Sequence, residues 1–346
     1  MLPYLVILTF IIFWIVLEKK ALNRKAFWLP LVFLSLFAGS RSLKVGTDTG
    51  GYVKNFVNNL DSNYYEFSKD IEIGYQFLEY LLLSVTHNYF WLLFTISLIV
   101  VSCYLIIIKR YSVNYGFSIF LFITLGIYTF FFNGMRQGLA MAIFVLATPY
   151  LLEKKAFKYT LLCFFTSFFH ISALFMIPFY FLVHLRIKLI YKILVSFTIS
   201  LTASSFFIDY LASDNQRYEG YTEEAEKAGG FLTLAFYVIL LVFIYFISHI
   251  YKIREMNFNR LFSFYAVGVV FIIPIAMLGT NPSGPQRLIN YFTWTLVLIL
   301  PIVFRKINNV IVFVSFASLF LVYFILTTTR FSDLTPYNIN PIFEVF

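Results

Sequence analysis

Residues 130–140 read Phe130-Phe131-Phe132-Asn133-Gly134-Met135-Arg136-Gln137-Gly138-Leu139-Ala140. An apolar run from Phe117 to Phe132 ends here, one guanidinium follows, and a second apolar run begins at Leu139. A charge placed near hydrocarbon costs between about 2.5 and more than 10 kcal/mol, depending on the reference. Arg136 is permanently charged and presents five donors in a planar fork, which suits carboxylates and phosphates. The plainer reading is an interfacial arginine snorkelling beside a small-residue packing face, Gly134-x-x-x-Gly138. The other polar residues have to decide between the two.

Around this stretch, the chain of 346 residues is 60% hydrophobic and only 12% charged, with a mean hydropathy of +0.82. That composition excludes a soluble domain of this length. Apolar runs recur along the whole sequence, so the class is an all-α polytopic integral membrane protein, 1–346, with a single membrane domain. About twelve runs qualify as transmembrane helices, several of them short for a hydrocarbon core of about 30 Å. The segment Ile73–Val85 carries Glu79 and is weaker. It reads as a re-entrant or interfacial helix, with a full span as the alternative. Pro3–Leu17 has no basic residue before it and no small-residue cleavage site, and reads as a retained first span. Cys103 and Cys163 lie inside apolar runs and read as packing residues.

Tyr159–Val183 is either one span or two short helices turning at His170. The second choice puts every basic loop on one side. Those loops hold Lys19–Lys25, Lys109–Arg110, Lys154–Lys158, Arg186–Lys192, Lys252–Arg260 and Arg305–Lys306, with only Glu18, Glu153 and Glu255 of the 17 acidic residues. By the positive-inside rule they are cytoplasmic and both termini are external. The net charge of +9 is thereby explained by orientation, and nucleic-acid binding is not required. Two external segments, 39–89 and 209–230, then cap a cleft on the outer face.

The unusual residues collect on that face: Arg41, Asp48, Arg136, His170, Arg217, Arg287 and Arg330. Basic residues outside are what the orientation rule disfavours. They either pair with Asp48, Glu72 or the acidic cluster at 223–226, or they bind an anion at the outer leaflet, most simply a lipid-linked phosphate or diphosphate. The loop from Arg41 through Gly46-Thr47-Asp48 to Tyr52 allows turns and close backbone approach. Asp48 there is either a poised carboxylate or the hydrogen-bonding residue of a plain turn. His170 sits between apolar runs in Phe169-His170-Ile171-Ser172 and is either a hydrogen-bonded structural group or a catalyst. The sequence holds no Asp-x-Asp, no zinc spacing and no phosphate loop. No cofactor and no metal are therefore expected, and ATP-driven transport is out.

In order, Arg41…Gly46-Thr47-Asp48…Tyr52, Glu72-Ile73-Gly74, Asn133-Gly134-Met135-Arg136-Gln137, Phe169-His170-Ile171-Ser172-Ala173 and a late Arg287 resemble the EpsG-like Wzy polymerases of bacterial surface polysaccharides. The resemblance spans roughly residues 40–300 and implies a fold similar to multi-span polyprenyl-phosphate glycosyltransferases. It implies a metal-independent glycosyltransferase in the cytoplasmic membrane with its active site on the outer face. The growing glycan would leave undecaprenyl diphosphate for a sugar hydroxyl of the next lipid-linked repeat unit. Partners would be lipid-linked donor and acceptor oligosaccharides, the bilayer and a chain-length regulator. Arg136, Arg287, Arg41 and Arg217 would hold the diphosphate, whose charge grows in the transition state. His170 or Asp48 would take the hydroxyl proton. Gly46, Thr47, Tyr52, Glu72, Asn133, Gln137 and Ser172 would support them.

Three other readings compete. A lipid-linked oligosaccharide flippase would line a central cavity with charge reachable from both leaflets, whereas here the cations lie at outer helix ends. An O-antigen ligase would use the same donor with another acceptor. An acyltransferase would need a histidine facing acyl-CoA from inside, and His170 is expected on the other face.

Overall fold

A computed structural model describes residues 1–58, 65–214, 230–279 and 284–343, with side chains for all of these except 204–214. It is 78% helix, with no strands among the described residues. In chain order the helices are α1 (Leu2–Leu22), α2 (Trp28–Gly39), α3 (Thr49–Asn58), α4 (Ile73–Leu83), α5 (Tyr89–Tyr111), α6 (Tyr115–Thr124), α7 (Ile127–Asn133), α8 (Met135–Val145), α9 (Thr148–Leu152), α10 (Ala156–Ser167), α11 (Met176–His184), α12 (Leu189–Asp214), α13 (Phe231–Ile250), α14 (Met256–Met277), α15 (Asn290–Thr293), α16 (Leu296–Ile307) and α17 (Val310–Leu326).

Among the described residues, five segments are long and apolar enough to cross a membrane: Tyr89–Tyr111, Tyr115–Asn133, Phe231–Ile250, Met256–Met277 and Val310–Phe331. Pro285–Thr293 and Leu296–Ile307 form a pair bent by 45°, a broken span or a re-entrant loop. The chain is a multi-pass α-helical membrane protein. The other apolar runs form shorter helices, among them Trp28–Gly39, Met135–Val145 and Leu189–Ala203, and several runs are broken. Threonine hydroxyls sit at the breaks and bond back to the preceding turn. Thr124 donates to the Phe120 carbonyl at 2.9 Å, Thr148 to that of Val145 at 2.5 Å and Thr295 to that of Phe292 at 2.6 Å. Such bonds offer carbonyls an alternative to the helix ladder. Helix α4 has 11 residues, about 16 Å of rise, which leaves a single crossing out of its reach. The turn at His170 forms as two helices. Tyr159 on α10 reaches back to α11, with its ring 4.8 Å from that of Tyr180 and its hydroxyl 3.1 Å from the Met176 carbonyl.

Starts are marked in the sequence by asparagines. Asn88, Asn114 and Asn309 cap α5, α6 and α17, accepting from Phe90, Phe117 and Val312 and satisfying an orphan N–H at each.

The chain packs as two compact units. One comprises 1–148, 164–173 and 308–346. In it the interhelical contacts are polar as well as apolar: Ser97 on α5 donates to the Ser35 carbonyl of α2 at 2.9 Å, and Tyr128 on α7 to that of Leu34 at 2.7 Å. The other comprises 149–163 and 174–307. There Ser196 and Ser200 on α12 donate to the Val267 and Phe271 carbonyls of α14 at 2.8 and 2.5 Å. Where lipid is as apolar as the side chains, such bonds and close packing hold helices together.

Candidate functional site

The first unit gathers the polar motifs. Glu72 stands at the start of α4, where its carbonyl accepts the Tyr75 and Gln76 amides. Its side chain makes no bond to its own helix. One carboxylate oxygen meets Arg136 Nη1 at 2.5 Å, each side chain being 13% exposed. The other oxygen accepts the Ile171 amide at 3.4 Å. The Glu72-Ile73-Gly74 and Asn133–Gln137 motifs and the His170 turn thus meet at one carboxylate. Gly74 makes this possible: its amide lies 2.7 Å from the Phe168 carbonyl, and a Cβ there would stand 2.7 Å from that oxygen.

His170 Nδ1 lies 2.7 Å from the Ser172 hydroxyl and accepts the Ser172 amide at 3.3 Å. Nδ1 thus faces both the hydroxyl and the amide of Ser172. Ser172 is buried, while His170 is half-buried beside exposed Ile171.

Sequence reasoning missed Glu79. It is 4% exposed and accepts the Tyr65 hydroxyl at 3.0 Å, with Tyr75 on the same helix face. Burial raises its carboxyl above the usual range, opposed by the Tyr65 and Tyr75 hydroxyls and by the charge of Arg136. The available signal was spacing. Glu72, Tyr75 and Glu79 recur at three and four residues, which is one face of a helix.

The glycine loop is fixed to the same stretch. Gly46 adopts φ +93, a region costly for any residue with a side chain. A Cβ there would lie 2.4 Å from Asn133 Oδ1. That oxygen accepts the Thr47 amide at 3.0 Å, and Thr49 donates to the Phe132 carbonyl at 2.8 Å. Asp48 takes the Thr47 hydroxyl at 2.9 Å, while its carbonyl accepts the Gly51 and Tyr52 amides and so opens α3. Tyr52 then lies 6.0 Å, ring to ring, from Tyr75. A further tie comes from the C-terminal tail. Asn133 Nδ2 donates to the Ser332 carbonyl at 2.7 Å, and the Gly46 amide to that of Asp333 at 2.9 Å.

The remaining expected residues are placed differently. Arg41 is 0% exposed. Its guanidinium lies over the Phe132 ring at 4.2 Å and donates to the Ala38 carbonyl at 2.5 Å. Burial lowers it to about 10, still far above neutral, so it keeps its charge. In this conformation its nitrogens face the interior, and it does not join the Glu72 cluster. Gln137 is buried. Arg287 lies in the other unit, half-buried in the single turn Pro285–Ile289. Arg217 lies outside the described residues. Among the described residues no three His, Cys, Asp or Glu side chains converge as a metal site.

A family model described as EpsG family matches residues 24–339. No curated protein and no solved structure matches the chain.

Proposed function

The chain belongs to the EpsG family, and from that membership we propose that it polymerises a surface polysaccharide on the outer face of the cytoplasmic membrane. The growing glycan is carried on undecaprenyl diphosphate. Its sugar–oxygen bond to the diphosphate breaks, and the bonding pair leaves with the phosphate oxygen. A hydroxyl of the next lipid-linked repeat unit bonds to that sugar carbon, giving up its proton. The observation that carries this reading is Arg136, a largely buried guanidinium on α8, one carboxylate away from the histidine turn. A fixed cation in a poorly hydrated setting stabilises charge that grows on a leaving diphosphate. Arg41 is assigned to packing against the ring of Phe132, the residue before Asn133.

His170 is assigned as the base. Nδ1 already faces a hydroxyl at 2.7 Å, that of Ser172, and a sugar hydroxyl entering there donates to that nitrogen. Asp48 is the competing base. The Arg136 guanidinium supplies the positive charge, so no metal is assigned a step. In the proposed orientation about twelve helical passes alternate, the basic loops are cytoplasmic and both termini external. Cysteines at Asn23 and Asn58 should then react with an impermeant reagent from opposite sides; reaction of both in intact cells contradicts the orientation. The function is tested in a strain lacking the gene. Lipid-linked glycan should collapse from a ladder to a single repeat unit, and an unchanged ladder overturns the reading.

A further inference from the structure

Arg136 and Glu72 are each 13% exposed. A guanidinium that is mostly out of water needs an anion, since a lone buried charge is strongly destabilising. In the structure Glu72 supplies it, at 2.5 Å. Glu72 does so from an unusual position. It stands at the N-terminal end of α4, where a side-chain acceptor commonly satisfies the helix's own amides, yet it makes no such bond. Its two oxygens are divided between Arg136 and the Ile171 amide. The neighbouring carboxylate, Glu79, is held by the Tyr65 hydroxyl and is 4% exposed. Of the two, only Glu72 is placed to leave.

We propose that Glu72 is a displaceable counter-ion, occupying on Arg136 the place that a phosphate oxygen of a prenyl diphosphate takes on binding. This rests on the diphosphate reading of the site. A diphosphate brings more charge and more acceptor oxygens than a carboxylate, and so wins the exchange at a guanidinium fork. The displaced carboxylate keeps its other partner, the Ile171 amide, one residue from His170. Donor binding is thereby communicated to the turn that holds the base. The exchange also gives Arg136 a paired state when no donor is present.

The sign of one effect separates this role from that of a residue that merely orients Arg136. The full-length protein in lipid nanodiscs is titrated with inorganic diphosphate and, separately, with farnesyl diphosphate. Glu72→Gln removes the competing charge while keeping the shape, so it should bind roughly 10-fold more tightly than wild type. Glu72→Asp, with a shorter reach and the charge retained, should also tighten binding and serves if the glutamine variant does not fold. Arg136→Lys should weaken binding. Tightening with both ligands supports exchange at the phosphate itself, and tightening with farnesyl diphosphate alone supports exchange with a lipid-borne donor. Unchanged or weaker binding by both Glu72 variants, with Arg136→Lys still weakening it, overturns the counter-ion role and leaves the diphosphate site standing. No binding of either ligand to wild type or variants removes the site and this proposal together.

Discussion

Glu72 and Arg136 meet at 2.5 Å across 64 residues of chain, and the second oxygen of the same carboxylate reaches the Ile171 amide. One side chain therefore ties together α4, α8 and the histidine turn, three pieces that the sequence keeps far apart.

Arg136 should be the least replaceable residue of the group. Arg136→Lys keeps the charge but loses the planar fork, and should lower polymerisation by about 100-fold at unchanged protein abundance, the scale of losing one fixed donor to a developing oxyanion. Arg136→Ala should go further, leaving Glu72 without its partner as well. Polymer length in a complemented deletion strain, with the protein quantified in membranes, reads this out. Normal length with Arg136→Ala contradicts the assignment.

The base assignment separates by paired substitutions. If His170 takes the proton, His170→Gln should abolish polymerisation while diphosphate binding persists, and Asp48→Asn should retain some activity. The reverse severity assigns the base to Asp48. Near-normal activity in both leaves departure of the diphosphate as the driving event. Asp48 has a structural task in either case, since it opens α3 and takes the Thr47 hydroxyl.

Gly74 links packing to the site. Gly74→Ala places a Cβ 2.7 Å from the Phe168 carbonyl oxygen, a backbone atom with little room to move. The start of α4 should shift away from the His170 turn, carrying Glu72 with it. We expect a destabilisation of about 1–3 kcal/mol and a loss of activity larger than the stability change explains. Thermal melting and activity measured on the same preparation test this, and a variant with normal melting and normal activity contradicts it.

Glu79 predicts a pH dependence of stability. Burial raises its folded-state value above the ordinary 4.5. The folded protein therefore holds a proton that the unfolded chain releases. Its contribution to stability is fully present below pH 4.5 and is lost as pH rises through the raised value. Glu79→Gln should remove that decline, so that its melting temperature exceeds that of wild type by more at pH 7 than at pH 4.5. A constant difference across the range excludes the effect.

Much of this was legible from residues alone. The membrane class follows from apolar runs, and the break at His170 from the basic clusters at Lys154–Lys158 and Arg186–Lys192. Pairing of an outer arginine with Glu72 was one of the two readings open for Arg136, and the ion pair between them is what forms. Span continuity was less legible. Composition does not register a threonine hydroxyl that bonds back to its own helix, as at Thr148 and Thr295. Arg41 was misleading for a related reason: an arginine at the end of an apolar run reads as a surface cation, yet aromatic rings and a carbonyl enclose it. The tail was unreadable because its role is backbone pairing. Ser332, Asp333 and Asn338 offer carbonyls to Asn133, Gly46 and Ser42, and carbonyls carry no sequence signal. Hydropathy marks Glu79 only as a weak point in an apolar run and does not register the helix face it shares with Glu72 and Tyr75.

The central claim, that this chain joins lipid-linked repeat units, is tested most directly by reconstitution. The purified protein in liposomes is given repeat units on undecaprenyl diphosphate, and products are resolved by length. The account predicts a ladder of polymers with one undecaprenyl diphosphate released for each new bond, absent with Arg136→Ala. Movement of unaltered lipid-linked units across the bilayer, or a single transfer to another acceptor with no ladder, contradicts it.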